Sequence, residues 1–194
     1  MRAADNPFRT DRVLEMRYRF PDGSDMEKLL HRLEALNFRA AIVGPEGSGK
    51  TTLQEDMAYE LITRGHTIRW LRLNWENRRT VTKLIEDLFS TSSERDLLFV
   101  DGAEQMGALR WRLFTRRADR YGGLVINTHA AGRLPTLWEC QTTPELLSCL
   151  IDELLASNSS LPIGEVTQLF DQNDGNLRLC LREMYDRWAD AQYS

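Results

Sequence analysis

The glycine-rich segment GPEGSGKT, residues 44–51, constrains the fold of this chain more than any other feature. It has the spacing G-x-x-x-x-G-K-[ST], with the apolar run RAAIV before it and apolar residues at helical spacing after it. Glycines in such a turn let successive backbone N–H groups converge on an anion, and the following helix directs its positive dipole end to the same place. The segment therefore predicts a strand, a phosphate-binding loop and a helix, in that order.

The side chains of this loop match the chemistry of nucleotide phosphates. Lys50 supplies a mobile cation for the β and γ phosphates, and the Thr51 hydroxyl is a suitable ligand for Mg²⁺. The expected cofactors are therefore ATP and Mg²⁺, and ATP is preferred to GTP because the chain has no N-K-x-D motif that would read guanine. The expected nucleotide-binding residues are Gly44, Pro45, Glu46, Gly47, Ser48, Gly49, Lys50, Thr51 and Thr52.

Strand-like and helix-like segments alternate along residues 39–140. Short apolar strands are expected at 39–43, 67–73, 96–101, 124–128 and 136–140, with helices between them. The helix after the third strand is expected at about 104–120, with an apolar stripe of Met106, Leu109, Leu113 and Phe114. This alternation predicts a parallel sheet with helices on both faces. Three helices, at about 144–156, 163–171 and 176–189, are expected to follow. The predicted fold class is α/β, a three-layer αβα arrangement with a mainly parallel five-stranded sheet and a small C-terminal helical lid.

Breaks in these patterns predict three parts of the chain. They are a charged N-terminal arm (residues 1–23), a nucleotide-binding core (24–142) and a helical lid subdomain (143–194). In the arm, RVLEMRYRF partly alternates and indicates an edge strand or an extended segment. In the lid, the serine-rich segment 156–160 separates the first two helices.

Composition restricts the partners. The net charge is −4, so nucleic acid is a possible partner that the overall charge does not support. Three cysteines without a C-x-x-C pattern are typical of a reduced, intracellular protein. The N-terminus lacks the apolar core of a signal peptide, and no apolar run approaches the roughly 20 residues of a membrane span. We therefore expect a cytoplasmic protein that has no membrane association.

A carboxylate follows the third predicted strand. The apolar run DLLFVD ends in Asp101, and ligands of open α/β sheets bind outside the carboxyl ends of the strands. Asp101 is therefore expected to bind Mg²⁺ together with Thr51. The alternative is an aspartate that only caps the next helix.

Taken together, GPEGSGKT and LLFVDGAEQ resemble the Walker A and Walker B elements of P-loop ATPases. The additional-strand division, which includes AAA+ and STAND-type proteins, is the most similar. The resemblance implies a further strand between the two Walker strands that ends in a polar sensor residue. The segment GLVINTH fits, with Asn127 or Thr128 as the sensor and His129 beside them.

The same resemblance implies a lid arginine that reaches the nucleotide phosphates. In AAA+ proteins it often stands in a short G-[ND]-x-R at a helix start, and Gly175-Asn176-Leu177-Arg178 fits. Arg178 would then be the phosphate-contacting residue, and the alternative is a solvated helix arginine. The family also implies an arginine between the sensor strand and the fifth strand that acts on a neighbouring subunit. Arg133 occupies that interval, with a surface-loop arginine as the alternative.

The sequence departs from the AAA+ pattern directly after Asp101. A glutamate that polarises the attacking water usually stands there, and this chain has Gly102. Glu104 is one substitute, although a carboxylate near a helix start also serves as a cap. Glu76, after the second strand, is another, in the position that recombinase-type ATPases use. The third possibility is that no base is well placed and hydrolysis is slow.

The predicted function is an ATP-binding, Mg²⁺-dependent NTPase that couples its nucleotide state to lid movement and to an unidentified protein partner or to self-association. The expected catalytic residues are Lys50, Glu104, Glu76, Thr128 and Arg178. One alternative is a non-hydrolysing nucleotide sensor. Another is a small-molecule or nucleoside kinase with an anion-binding lid formed by arginines in residues 110–120. A DNA-associated ATPase that uses these arginines and Trp70, Trp75 and Trp111 is a further alternative, which the net acidity disfavours.

Overall fold

The computed structural model describes residues 6–20, 23–77, 79–156 and 161–191. The chain divides into two compact units. The described residues of a sheet unit fall within 18–44 and 53–139, and those of a helical unit within 6–17, 45–52 and 140–191. Most of the predicted serine-rich separator, residues 157–160, lies outside the described residues.

The sheet unit is built on five parallel strands. Their order across the sheet is β2-β3-β4-β1-β5, and every strand pair is parallel. This confirms the predicted five-stranded parallel sheet, and β4 lies between β1 and β3 as the resemblance implies. The strands are β1 (Arg39–Val43), β2 (Ile68–Arg72), β3 (Leu97–Asp101), β4 (Gly123–Thr128) and β5 (Thr136–Glu139).

The register of the central strands brings their carboxyl ends to one edge. Val43, the last residue of β1, pairs with Thr128, the last residue of β4. Val100 pairs with Ile126, so Asp101 is the next residue of β3 along the same edge. The central strands read as continuous apolar runs because they are buried on both faces.

Helices cover both faces of the sheet. Apolar residues of α4 (Val81–Thr91) and α5 (Ala108–Ala118) share one core with Ala41 and Val43, the strand residues that point to that face. Ala40 and Ile42 point to the opposite face and are also fully buried. The helices α2 (Met26–Ala35) and α3 (Lys50–Thr63) cover that face with buried Leu30, Leu33, Leu53, Met57 and Leu61. The helix α3 begins in the loop segment of the helical unit and continues in the sheet unit from Leu53.

The helical unit contains α6 (Pro144–Leu154), α7 (Ile163–Gln172) and α8 (Leu177–Ala191), close to the predicted bounds. Local chemistry explains where α6 begins, because the Thr143 side chain accepts a hydrogen bond from the Leu146 N–H and Pro144 occupies the first turn. The three helices share one apolar core, which includes Leu147, Ile151, Val166, Leu169, Cys180 and Leu181.

The N-terminal segment packs on this helical core. Phe8 is 3% exposed and makes an edge-on contact with Trp188, with 6.2 Å between ring centroids. The Asn6 side chain donates to the Tyr185 carbonyl at 2.9 Å. Residues 10–15 form α1 (Thr10–Glu15), so the expectation of an edge strand in this segment is wrong there. A helical turn is favoured over a strand here because it brings Val13 and Met16, three residues apart, to the same side, where both pack against the core of the helical unit.

The segment after β3 also differs from its prediction. A single helix was expected from about residue 104 to 120, whereas a 3-10 turn (Ala103–Gln105) precedes α5, which begins only at Ala108. Met106 and Phe114 of the predicted apolar stripe are buried, but Leu109 and Leu113 are 73% and 58% exposed. Within the described residues, no helix is long and apolar enough to cross a membrane.

Candidate nucleotide site

The glycine-rich loop has the backbone conformation that its sequence predicts. Gly47 and Gly49 have φ values of +72° and +84°, a region that side-chain-bearing residues rarely adopt. The Pro45 carbonyl accepts hydrogen bonds from the Ser48 hydroxyl at 2.8 Å and from the Lys50 ammonium at 2.6 Å. Ser48 is 2% exposed, so its side chain holds the loop together from inside. The exposed Glu46 is on the outer side of the turn.

Within the helical unit, the start of α8 contacts this loop. Asn176 caps α8, because its Oδ1 accepts a hydrogen bond from the Leu179 N–H at 3.2 Å. The same carboxamide lies against Gly47, where Oδ1 is 1.8 Å from the position that a Cβ would occupy. Only glycine fits at position 47 while the cap is in this place. Arg178 is exposed in the first turn of α8, two residues after the contact.

Within the sheet unit, Asp101 and Asn127 meet at the carboxyl edge of the sheet. The Asn127 side-chain nitrogen donates to Asp101 Oδ1 at 3.1 Å, and Asn127 is 1% exposed. The neighbouring Thr128 directs its hydroxyl to the Ala130 carbonyl at 3.2 Å instead. Of the two predicted sensor residues, the structure therefore brings Asn127 rather than Thr128 to the carboxylate.

The structure accounts for the glycine that follows Asp101. Its φ is +79°, and a Cβ at this position would lie 2.1 Å from the backbone carbonyl oxygen of Leu73. Because the clash is with a backbone oxygen, no change of side-chain rotamer can relieve it. A glutamate at position 102 is therefore incompatible with this turn.

Glu104 lies in the 3-10 turn that follows. Its Oε2 is buried and has no hydrogen-bond partner among the described residues, and its Oε1 is 3.8 Å from His129 Nε2. His129 comes directly after β4, so this contact links the ends of β3 and β4. An unpaired buried carboxylate oxygen is unusual in a folded protein and has a desolvation cost of about 1–3 kcal/mol.

Glu76 has a different environment. It is exposed, in a turn after β2, and β2 is the edge strand of the sheet. The turn is closed by reciprocal hydrogen bonds between Asn74 and Asn77, each accepting from the other's backbone N–H. Glu76 therefore follows the edge strand β2, whereas Glu104 follows the neighbouring strand β3.

Arg133 is tied down within the sheet unit. Its Nη2 donates to the Met106 carbonyl at 2.7 Å, and its guanidinium lies over the Trp111 ring, 4.9 Å from the centroid. Position 133 is half-buried and lies in the loop between β4 and β5. These contacts fix the loop before β5 to the segment after β3.

Sequence reasoning missed two contributors to this region. The Gln54 side chain, fully buried in α3, donates to the carbonyls of Val100 and Val125 at 3.4 and 3.2 Å and so connects α3 to β3 and β4. Asn176 was noted only as part of the G-[ND]-x-R pattern. Asparagine directly before a helix is a strong capping signal that would have fixed the start of α8, although not its contact with Gly47.

The chain is similar to known proteins in structure and not in sequence. No model of a known protein family matches the chain, and no curated protein matches it. Among solved structures, PCH-2 from C. elegans is similar, with a TM-score of 0.49 and 15% sequence identity over 71% of this chain. The match covers 48% of the PCH-2 chain, so this chain spans about half of its length. Such a distant likeness has no bearing on function, and the fold assignment rests on the strand order and directions given above.

Proposed function

We propose that this chain binds ATP with Mg²⁺ through residues 44–51 and hydrolyses it. The observation that carries the proposal is the conformation of the glycine-rich loop, with left-handed Gly47 and Gly49 between the end of a parallel strand and the start of a helix. Successive N–H groups in such a loop form an anion-binding concavity, and the α3 dipole adds a favourable field. The ligand class is therefore a nucleoside triphosphate.

The remaining loop residues have separate roles in this proposal. The Lys50 ammonium binds the β and γ phosphates, exchanging its present acceptor, the Pro45 carbonyl, for phosphate oxygens. The Thr51 hydroxyl and the Asp101 carboxylate are the proposed protein ligands of Mg²⁺, a hard cation that binds oxygen and retains waters and phosphate oxygens in such sites. Asn127 orients Asp101 through its hydrogen bond to Oδ1.

Glu104 is the proposed general base. It follows the same strand that ends in Asp101, and its buried Oε2 lacks a hydrogen-bond partner in the described part of the protein. A carboxylate in that condition accepts a hydrogen bond from a water molecule readily, and a water so held is oriented for attack on the γ phosphate. Glu76 stays the alternative base, at the end of an edge strand.

The helical unit is the proposed nucleotide-responsive lid. Asn176 contacts the loop at Gly47 and also caps α8, so a change in the loop on phosphate binding alters the first turn of that helix. Arg178, in the same turn, is the proposed phosphate-contacting arginine. A lid of this kind communicates the nucleotide state to a protein partner or to other copies of the chain.

Steady-state ATP turnover tests the proposal. The purified protein should release phosphate in the presence of Mg²⁺ and not in EDTA, at several protein concentrations that reveal any dependence on self-association. Glu104→Gln should lower kcat by about 100-fold or more, since a general base contributes roughly that much. Glu76→Gln is the matched control and should stay within about twofold of the starting protein. The reverse pattern would assign the base to Glu76.

A non-hydrolysing nucleotide sensor is the second candidate, favoured by the incompatibility of position 102 with glutamate. It differs from the ATPase in one measurable outcome. If the protein binds Mg²⁺–ATP tightly but shows no turnover at any protein concentration, it is a sensor and not an ATPase. Absence of ATP binding would overturn both.

A further inference from the structure

An apolar groove runs between α4 and α5 in the sheet unit. It encloses about 360 Å³, and its floor is made of Ile85, Phe89 and Phe114, which are 8%, 5% and 2% exposed. Leu109 and Leu113, on successive turns of α5, stand beside it and are 73% and 58% exposed. Single exposed leucines are common on protein surfaces, but two neighbouring ones beside an open apolar floor form a contiguous patch of the kind that marks interaction sites.

The charge beside the groove is strongly asymmetric. The helix α5 carries Arg110, Arg112, Arg116 and Arg117 and no acidic residue, on a chain whose net charge is −4. The α4 side contributes Glu86, which is already paired with Arg117 at 2.7 Å, while the Arg117 guanidinium lies 4.4 Å from the centroid of the Phe89 ring. Arg110 lines the groove with an exposed side chain. The groove therefore presents leucines together with positive charge.

The length of the groove fits a short helix. Its lining residues extend from Thr82 to Phe89 on α4 and from Leu109 to Arg117 on α5, roughly 10–12 Å along each helix at 1.5 Å per residue. That is about two helical turns, which present apolar side chains at i, i+3, i+4 and i+7. A groove between two helices with an apolar floor accommodates such a face.

We propose that the α4–α5 groove binds an acidic amphipathic helix of a partner protein. The leucine side of that helix packs on Ile85, Phe89, Leu109 and Leu113, and its carboxylates face Arg110 and the other α5 arginines. Nucleic acid fits this surface less well, because phosphates neither fill the apolar floor nor cover the exposed leucines. The proposal is independent of the proposed function, since none of these residues belongs to the candidate nucleotide site.

A fluorescent synthetic peptide tests the proposal on the full chain. The peptide has about 18 residues, roughly five helical turns, with leucines on one face and glutamates on the other. We expect saturable binding, measured by fluorescence anisotropy, that weakens as salt is raised because part of the attraction is electrostatic. A peptide with the same residues in permuted order should bind at least about tenfold more weakly, as should one with lysine in place of glutamate.

Two kinds of variant locate the binding. The double variant Leu109→Ser/Leu113→Ser and the single variant Arg110→Glu should each weaken peptide binding by about tenfold or more. Their matched controls are Ile62→Ser, another exposed apolar residue on a helix, and Arg182→Glu on α8. These controls should bind as the starting protein does. All the altered side chains are exposed, and an unchanged circular dichroism spectrum verifies the fold.

Three results would overturn the proposal. The first is an absence of peptide binding, or binding that the groove variants leave unchanged. The second is tighter binding of a DNA duplex that Arg110→Glu abolishes and the leucine variant does not. The third is self-association, detected by analytical ultracentrifugation, that the leucine variant abolishes, because the groove would then be an interface between copies of this chain.

Discussion

The Asn176 carboxamide is shared between the cap of α8 and the glycine-rich loop. Its Oδ1 accepts from the Leu179 N–H at 3.2 Å and lies 1.8 Å from the point where a Cβ on Gly47 would be. The two residues are 129 positions apart in sequence (176 − 47). The contact makes residue 47 sensitive to both its own backbone conformation and the position of α8.

Gly47→Ala is expected to destabilise the protein for two separable reasons. The left-handed conformation costs an alanine about 1–2 kcal/mol, and displacing Asn176 costs the helix cap, about 0.5–2 kcal/mol. Gly65 offers a matched control, since its φ is +90° and nothing lies within 4 Å of its added Cβ. Urea unfolding should therefore show a larger loss for Gly47→Ala than for Gly65→Ala.

Gly47→Ala should lose no more stability than Gly65→Ala when Asn176 has already been replaced by alanine. In an Asn176→Ala background the cap is absent and the atoms that a Cβ would meet are gone, so Gly47→Ala should cost only the backbone strain. Equal costs of Gly47→Ala in the two backgrounds would show that the carboxamide contact does not contribute.

Asn127→Leu is expected to lower the affinity for Mg²⁺, so that nucleotide binding needs a higher Mg²⁺ concentration. The substitution keeps the branching at Cγ, with two methyl groups in place of the carboxamide oxygen and nitrogen, and removes the hydrogen bond to Asp101 Oδ1. Loss of a residue that orients a metal ligand through a hydrogen bond typically lowers metal affinity about 10–100-fold. Titrating Mg²⁺ at fixed ATP should show this shift, while Thr128→Val, which removes the neighbouring hydroxyl, should shift it less. A larger shift for Thr128→Val than for Asn127→Leu would assign the orienting role to Thr128.

Asp96 is expected to make stability pH-dependent at the acidic end. Burial opposes ionisation of Asp96, but hydrogen bonds from the Arg69 guanidinium and from Ser93 outweigh it and hold the pKa below the usual value of 3.8. A lowered folded-state pKa gives stability that is present above the unfolded-state pKa and is lost as pH falls through the folded-state value. The starting protein should therefore lose stability as pH falls from about 5 to about 3.

Asp96→Asn should reduce that acid sensitivity. The variant should lose about 1–3 kcal/mol near neutral pH, because it replaces charge-assisted hydrogen bonds, and should show a flatter stability profile below about pH 5. Asp87→Asn on the exposed face of α4 is the control, measured by thermal unfolding across the same pH series. The same loss of stability at acidic pH in the starting protein and in Asp96→Asn would show that Asp96 does not cause it.

The three cysteines are expected to react at very different rates. Cys149 is exposed, whereas Cys140 and Cys180 are buried. Burial raises the pKa of the Cys180 thiol to about 11, and only the thiolate reacts with disulfide or maleimide reagents. At about pH 8 the native protein should therefore show one fast thiol, located at Cys149 by peptide mapping, and the others should react after unfolding. Fast labelling of native Cys180 would contradict the packing of the helical core.

Much of the fold follows from local sequence patterns. The strands β1, β3 and β4 are short apolar runs because they are buried on both faces, and Gly44 and Asp101 mark where two of them end. The three C-terminal helices were predicted close to their observed bounds, and the structure adds the Thr143 cap that explains where α6 begins. The Walker-like segments further predicted the order of β3, β4 and β1 through the resemblance that they carry.

The missed features depend on contacts between distant segments. Nothing local to Gly102 shows that the Leu73 carbonyl excludes a side chain there, and nothing near Phe8 shows that it packs on Trp188. The exposure of Leu109 and Leu113 is a similar case. An apolar stripe at helical spacing predicts that a face is covered, but it does not say whether this chain or another molecule covers it.

Equilibrium binding of a fluorescent ATP analogue to the starting protein and to Lys50→Ala tests the central claim most directly. With Mg²⁺ present, the starting protein should bind at or below about millimolar concentration, and Lys50→Ala should bind roughly 10–100-fold more weakly, because it loses a charge-assisted contact to phosphate. Lys83→Ala, on the exposed face of α4, should bind as the starting protein does. Equal affinities of Lys50→Ala and the starting protein, or no binding by either, would contradict nucleotide binding by residues 44–51.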